Sequence, residues 1–405
     1  MRQRWSIGLA ALVGLALVVG LALTRASVTQ AQLAPPRTLE ELKDEILARV
    51  DRQAYPLAGL DPADVREALA ALHSLDRDEW AAAWSMIAER YWAAAEAQES
   101  TDPRAASAHY LRAWRYYSFA RWPVPNSPGK QRAYERALDA YLRHAQQLDP
   151  PLEVVRIPFE GAEIVGYLRL PAAPRPAPVV LAISALDSRK EEVAERSAAF
   201  LPHGIGFFAV DMPGTGQAPI KIDVGAERMF SRILDYLQAR PDVDGARLAV
   251  QGGSWSGHWA ARLAFVERER LRGAVAQGAP VHEYFQPEWQ LEALGTREYL
   301  FDLFPARASV YGVETLEEFL AYGPRLSLVT AGLIDQPAAP MLLVNGERDT
   351  QVPIADLYWL LRHGTPKEAW VNPQGGHMGR SADWPDERIF QQVVLPWLVR
   401  VLQPS

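Results

Sequence analysis

The sequence has no cysteine among its 405 residues. That excludes disulfides, thiolate metal sites, a cysteine nucleophile and a lipid-modified N-terminal cysteine. It also lacks an excess of positive charge. Forty-two Lys and Arg against 49 Asp and Glu leave a net charge of −7, which argues against nucleic acid as the main partner. What remains is an ordinary globular mix, 49% apolar and 22% charged, able to bury a large core. The length fits two or three domains, or one large domain with additions.

One long stretch has no charge at all. Arg2 and Arg4 precede Trp5 to Thr24, which carries no ionisable side chain. Twenty helical residues span about 30 Å, enough to cross a bilayer. Residues 1–31 are therefore expected to be either a signal peptide, with Thr29-Gln30-Ala31 as its cleavage site, or an uncleaved membrane anchor. The two arginines hold the N-terminus inside. Either way the catalytic part is expected to be exported across, or anchored in, the cytoplasmic membrane and to lie outside the cytoplasm. Residues 32–37, with Pro35-Pro36, read as a linker.

Residues 38–150 read as all-helical. Thr38 and Glu41 have capping-box spacing, and Asp61-Pro62, Ser74 to Asp78, Asp102-Pro103 and Ser127-Pro128 look like further helix starts. Trp80, Trp84, Tyr91, Trp92, Tyr110, Trp114, Tyr116 and Tyr117 recur mostly every three or four residues, the spacing of a packed helix face. Tyr117 is the candidate among them for lining a pocket. At Asp149-Pro150-Pro151 the pattern changes. A hairpin over Leu152 to Phe159 and Glu163 to Leu170 is expected, then apolar strands at Pro178 to Ser184, Gly206 to Val210 and Leu248 to Gln251, and further strands at Leu271 to Ala276, Pro340 to Asn345 and Lys367 to Val371. Helices between them, and an amphipathic helix over Arg388 to Leu402, predict a mostly parallel sheet covered on both faces. Residues 151–405 would form this catalytic domain, with a helical insertion at 282–335 contributing to a lid.

The strand ending at Gln251 runs into Gly252-Gly253-Ser254-Trp255-Ser256-Gly257, the small-x-Ser-x-small pattern of a nucleophile elbow. A serine hydroxyl needs a base within hydrogen-bond reach, and the base needs an acid. In chain order the sites of α/β-hydrolases run Ser, Asp or Glu, His. Asp349 follows the strand Pro340 to Asn345, and His377 follows Lys367 to Val371 in a glycine-rich loop. Ser254, Asp349 and His377 are thus the expected catalytic set. Two backbone N–H groups should hold the oxyanion: that of Trp255, and one from the loop after Pro178 to Ser184, with Leu186 the first choice and Ala185 the second. His282 and Glu283, just past the strand Leu271 to Ala276, join Tyr117 as possible pocket residues. No metal and no cofactor is called for.

Several short stretches resemble one group of α/β-hydrolases. They are Ile157 to Gly161, Ala185 to Glu192, Asp211 to Gly216, the elbow, Gly278 to His282, Gly346 to Asp349 and Gly375 to His377, together with the aromatic helices ahead of the sheet. The group includes dihydroxypseudooxynicotine hydrolase and the esterase-like relatives of the fermentation/respiration switch protein. The similarity covers about residues 75–400. It implies an α/β-hydrolase fold with an N-terminal all-helical cap domain, a pocket between cap and sheet, and a catalytic triad at Ser254, Asp349 and His377. Two departures stand out: Ser184-Ala185 where the group has paired glycines, and Ser256 for glycine in the elbow. Both are expected to narrow the site. The expected activity is hydrolysis of a small-molecule carboxylic ester through an acyl-enzyme. Hydrolysis of a carbon–carbon bond in a ketone, with His282 or Glu283 protonating the leaving group, is the alternative. An inactive binding protein on a hydrolase scaffold comes next, and a prolyl-oligopeptidase-type peptidase, which would carry a β-propeller before its sheet, ranks low.

Overall fold

The computed structural model describes residues 35–404. The expected signal peptide or anchor over 1–31 lies outside them. Among the described residues no helix is long and apolar enough to cross a membrane.

Five helices come first: α1 (Leu39–Asp51), α2 (Pro62–Ala70), α3 (Arg77–Gln98), α4 (Pro103–Ala120) and α5 (Pro128–Ala145). Each begins where a short polar side chain can satisfy the free N–H groups of the first turn. Thr38 accepts from Glu41 N–H at 3.2 Å while Glu41 accepts from Thr38 N–H at 2.9 Å, a complete capping box. Asp61, Asp76, Asp102 and Ser127 cap the other four. Proline stands in the first turn of α2, α4 and α5, where its missing N–H costs nothing.

The sheet has eight strands: β1 (Glu153–Phe159), β2 (Ala162–Arg169), β3 (Ala177–Ile183), β4 (Gly206–Val210), β5 (Val243–Gly253), β6 (Leu271–Gln277), β7 (Met341–Gly346) and β8 (Glu368–Asn372). Their spatial order is β1-β2-β4-β3-β5-β6-β7-β8. The β1–β2 and β2–β4 pairs are antiparallel; every pair from β4 through β3 to β8 is parallel. β3 and β4 are buried along their whole length, as a parallel strand covered on both faces must be. Side chains alternate between two apolar cores. Val179, Leu181 and Ile183 face one, with Phe230 of the helix Arg228–Gln238 and Trp259 of the elbow helix. Val180 and Ala182 face the other, with Phe207, Trp397 and the aromatics of α3 to α5. The N-terminal helices therefore share a continuous core with one face of the sheet.

Chain direction reverses its march across the sheet at β3. The chain steps from β3 to β4 on one side, then crosses back to β5 on the other. The crevice outside the carboxyl ends of strands at such a switch point is where open α/β sheets place ligands. Residues 283–326 interrupt the alternation with short helices. The terminal helix departs from its expected regular form. It starts at Asp386 and is broken by a π turn over Phe390–Val394. Pro396, two residues on, cannot donate to the carbonyl four positions back, and a wide turn accommodates its ring.

Trp84 has no exposed surface and packs edge-on against Phe119 with ring centroids 4.6 Å apart. Trp84→Ala is expected to lower stability by about 3–5 kcal/mol, read as a fall in the urea midpoint with an unchanged slope.

Candidate active site

Three loops meet at the carboxyl edge of the sheet. The first is the turn from β5 into the elbow helix Trp255–Val266. Ser254 sits at its apex with φ 55° and ψ −128°, a strained conformation held by its surroundings. Its N–H donates to Gln277 O of β6 at 2.8 Å. A Cβ on Gly252 would stand 2.1 Å from Ser256 O, and one on Gly257 would stand 2.9 Å from Ala279 Cα. These are backbone contacts that cannot yield, so the turn closes only with glycine at both places. Ser256, where the resembling group has glycine, has a use for its hydroxyl. It is fully buried; its Oγ accepts from Gly253 N–H at 2.9 Å and lies 2.9 Å from the carbonyls of Ile183 and Gly253. The hydroxyl ties the elbow to the end of β3. Ser184, the other departure, is likewise turned inward, its Oγ donating to Asp211 at 3.2 Å.

The second and third loops follow β7 and β8. They approach so closely that a Cβ on Gly346 would lie 2.1 Å from Gly375 O. Arg348 N–H donates to that same carbonyl at 2.9 Å. This contact brings the acid to the base: Asp349 Oδ2 lies 2.9 Å from His377 Nδ1, and His377 Nε2 lies 2.8 Å from Ser254 Oγ. Asp349 Oδ1 accepts from Gln351 N–H at 2.7 Å and Val352 N–H at 3.0 Å. Burial pushes this carboxyl up, but the His377 charge and hydrogen bond and those two N–H groups outweigh it, and the net shift is downward. Burial pushes His377 down; the charge of Asp349 and its hydrogen bond outweigh that, and His377 ends above its ordinary value of 6.5. An ionised Asp349 only accepts, so the ring proton sits on Nδ1 and Nε2 is left to accept from the serine hydroxyl.

A cavity of about 310 Å³ opens over Ser254 and His377. Gln251 and Gln277 from the sheet line it, Asp187 and Glu192 stand on one wall, and Tyr55 and Tyr299 come from the N-terminal segment and the insertion. The β3–α6 loop, ahead of the short helix α6 (Lys190–Ala194), is gripped from two sides. From below, buried Asp211 at the end of β4 accepts from Lys190 N–H at 2.8 Å and Lys190 Nζ at 3.2 Å. From above, Arg121 at the end of α4 donates to Glu192 at 2.6 Å and to the Asp187 carbonyl, and Trp122 Nε1 donates to the Asp187 carboxylate at 3.1 Å. Sequence reasoning assigned no role to Arg121, Trp122 or Asp211. Asp211 had a signal, its place after a strand in Asp211-Met212-Pro213-Gly214; Arg121 and Trp122 had none.

Ala185 N–H is engaged by Ser188 Oγ at 2.8 Å. The N–H groups of Leu186 and Trp255 have no acceptor among the described residues. Both side chains are packed into the core, and Ala185 and Ser254, one position before each, line the cavity. The structure does not bring His282, Glu283 or Tyr117 to this cavity. Asp356 accepts the N–H groups of Val281, His282, Glu283 and Tyr284 at 2.7–3.2 Å, which winds this turn away from the serine. His282 Nδ1 pairs with Ser327 Oγ at 2.7 Å and Glu283 accepts from Trp359 Nε1 at 3.1 Å. Tyr117 is buried among the helices, its hydroxyl accepting from Arg136 Nε at 3.3 Å. His258 on the elbow helix is also sealed, its Nδ1 3.0 Å from Pro280 O; burial pushes it down to about 3.

The sheet order, the elbow and the three-loop arrangement define an α/β-hydrolase. A family model described as Esterase FrsA-like matches residues 55–361, and the chain belongs to this FrsA-like esterase family. Esterase FrsA of Vibrio vulnificus (strain YJ016) is 27% identical over 360 residues, covering 82% of this chain and 84% of that protein. The α/β hydrolase ucsC of an Acremonium species is 28% identical over 272 residues, covering 58% of this chain and 54% of its own length. Among solved structures, 2,6-dihydroxy-pseudo-oxynicotine hydrolase superposes with a TM-score of 0.72 at 22% identity, covering 87% of this chain and 95% of that one. AbyA5 gives 0.67 at 23% identity, covering 91% and 100%. The fold, with N-terminal helices ahead of a mostly parallel sheet, is shared with both, and the protein is a hydrolase.

Ser256→Ala is expected to cost about 1–3 kcal/mol, because a fully buried hydroxyl that bonds Gly253 N–H and Ile183 O is lost. The measurement is the melting temperature by circular dichroism.

Proposed function

We propose that the protein is a serine esterase working through an acyl-enzyme. One observation carries the reading: an unbroken hydrogen-bonded line from Asp349 through His377 to Ser254, at 2.9 and 2.8 Å, with the serine on a strained turn facing a cavity. Ser254 Oγ attacks the ester carbonyl carbon while His377 Nε2 takes the hydroxyl proton. The N–H groups of Trp255 and Leu186 receive the developing oxyanion. Collapse of the tetrahedral intermediate expels the alcohol, which takes the proton back from His377. Water, deprotonated by His377, then attacks the acyl-enzyme and frees the acid. Asp349 holds the ring and stabilises its cation.

Carbon–carbon hydrolysis of a ketone would need a further acid for a carbon leaving group. His282 and Glu283, the groups considered for that task, are bonded elsewhere, so the ester is the better substrate class. An inert binding scaffold would have no need of the strain stored at Ser254. As for location, we place the catalytic part outside the cytoplasmic membrane, on the strength of Arg2, Arg4 and the uncharged run Trp5 to Thr24.

Ser254→Ala is expected to lower kcat for a short p-nitrophenyl ester by about 10³-fold or more and to abolish labelling by a fluorophosphonate; undiminished turnover would refute the assignment. Asp349→Asn is expected to lower kcat by about 10⁴-fold, by leaving the ring in the wrong tautomer. In the wild type, activity should rise with pH through the raised pKa of His377, since only the neutral ring accepts a proton. Asp349→Asn removes the charge that raises it, so the acid limb of its residual pH profile should move to lower pH.

A further inference from the structure

The floor of the cavity contains a polar group with nothing to bind. Gln251 lies on β5, three residues before Ser254, and lines the cavity while only 8% exposed. Its side-chain Oε1 is buried with no hydrogen-bond partner, and its amide donates to no described residue. The reason lies in the register. Gln251 stands beside Ala182 of β3 and Val275 of β6, and neither has a polar side-chain atom to offer. Other polar groups around the cavity are engaged. Gln277 Nε2 donates to Met378 O at 3.0 Å, Glu192 pairs with Arg121, Asp187 with Trp122, and Arg380 with Asp386 at 3.3 Å.

An unpaired amide in a buried strand is unfavourable, and apolar side chains of the same size would suit the flanks of Ala182 and Val275 better. Buried polar groups in folded proteins find partners, and the cavity that Gln251 lines is the place for one. Three strand residues span about 10 Å, and a glutamine side chain closes part of that distance, so the amide reaches atoms a few bonds from a carbonyl held at Ser254. A hydroxyl is the complementary group, since it can donate to Oε1 and accept from Nε2. At about 310 Å³ the cavity stands at the small end of ligand pockets.

We infer that Gln251 is a specificity-determining residue, and that the substrate is an ester of a short acyl group bearing a hydroxyl that pairs with the Gln251 amide. The inference rests on the serine-esterase reading for its chemistry, but its recognition step is separable from it.

The test uses p-nitrophenyl esters of two- to six-carbon acyl groups, each with and without one hydroxyl, against the wild type and Gln251→Leu. The ratio of kcat/KM within each matched pair is read, so that any general loss of activity in the variant cancels. The wild type should favour the hydroxylated member of at least one pair by about tenfold, the scale of one buried hydrogen bond, and Gln251→Leu should bring that ratio to one or below. A ratio unchanged by the substitution, or a wild-type preference for the plain alkyl chain throughout, overturns the inference and leaves the amide to an ordered water. Binding is read separately in Ser254→Ala by the thermal shift produced by the corresponding acyl amides. Selective stabilisation by the hydroxylated amides that is lost in Ser254→Ala/Gln251→Leu supports the role of Gln251 even if the wild type hydrolyses none of the esters. Equal stabilisation by both kinds of amide overturns it while leaving the hydrolase chemistry untouched.

Discussion

Backbone meets backbone at two points on the carboxyl edge of the sheet, and the site depends on both. At Gly252 the incoming strand touches the first turn of the outgoing helix, and at Gly346 the loop after β7 touches the loop after β8. Neither contact has room for a methyl group. The first forces the serine into its strained conformation; the second sets the distance between carboxylate and imidazole. Side chains then need only short reaches to complete the line, which is why hydrogen bonds of 2.8 and 2.9 Å form without long flexible groups.

The surroundings of that line are built from charge pairs rather than from apolar packing alone. Asp211 is fully buried, and burial alone would raise its pKa. Lys190 and Arg189, with the N–H groups of Gln217 and Lys190, overcome that and hold it below the ordinary carboxylate range. A buried charge removed from such a set leaves its partner stranded, at a cost of several kcal/mol. The arrangement thus fixes the β3–α6 loop to the sheet. Arg121 and Trp122 fix the same loop to the helical layer, and Lys130, itself buried, donates to the Trp122 carbonyl at 2.8 Å.

The strand ends carrying Ser254, Asp349 and His377 were legible because each lies just past a short strand-like run and beside glycine in a turn, a local signal. The helix starts were legible for the same reason, each marked by a capping side chain. The pocket was not. His282 and Glu283 follow a strand that does end beside the site, but Asp356, more than seventy positions away, winds their turn aside. Tyr117 shares its spacing with the packing aromatics and proved to be one of them. Gln251 reads in sequence as the last residue of an apolar strand, although a lone amide in such a run is a visible oddity; what it faces is set by register with Ala182 and Val275, which a single strand does not encode. Ser256 read as a blemish in a glycine pattern, and its worth emerged only with Ile183 O beside it.

The grip of Arg121 and Trp122 on the loop has a consequence for how the chamber is used. A roof that swung open would strip a buried guanidinium of a carboxylate and a carbonyl, the two contacts it makes across to the β3–α6 loop. The walls of the chamber are therefore held to one another by charge, and the side chains that line it, Gln251 among them, set what it can hold.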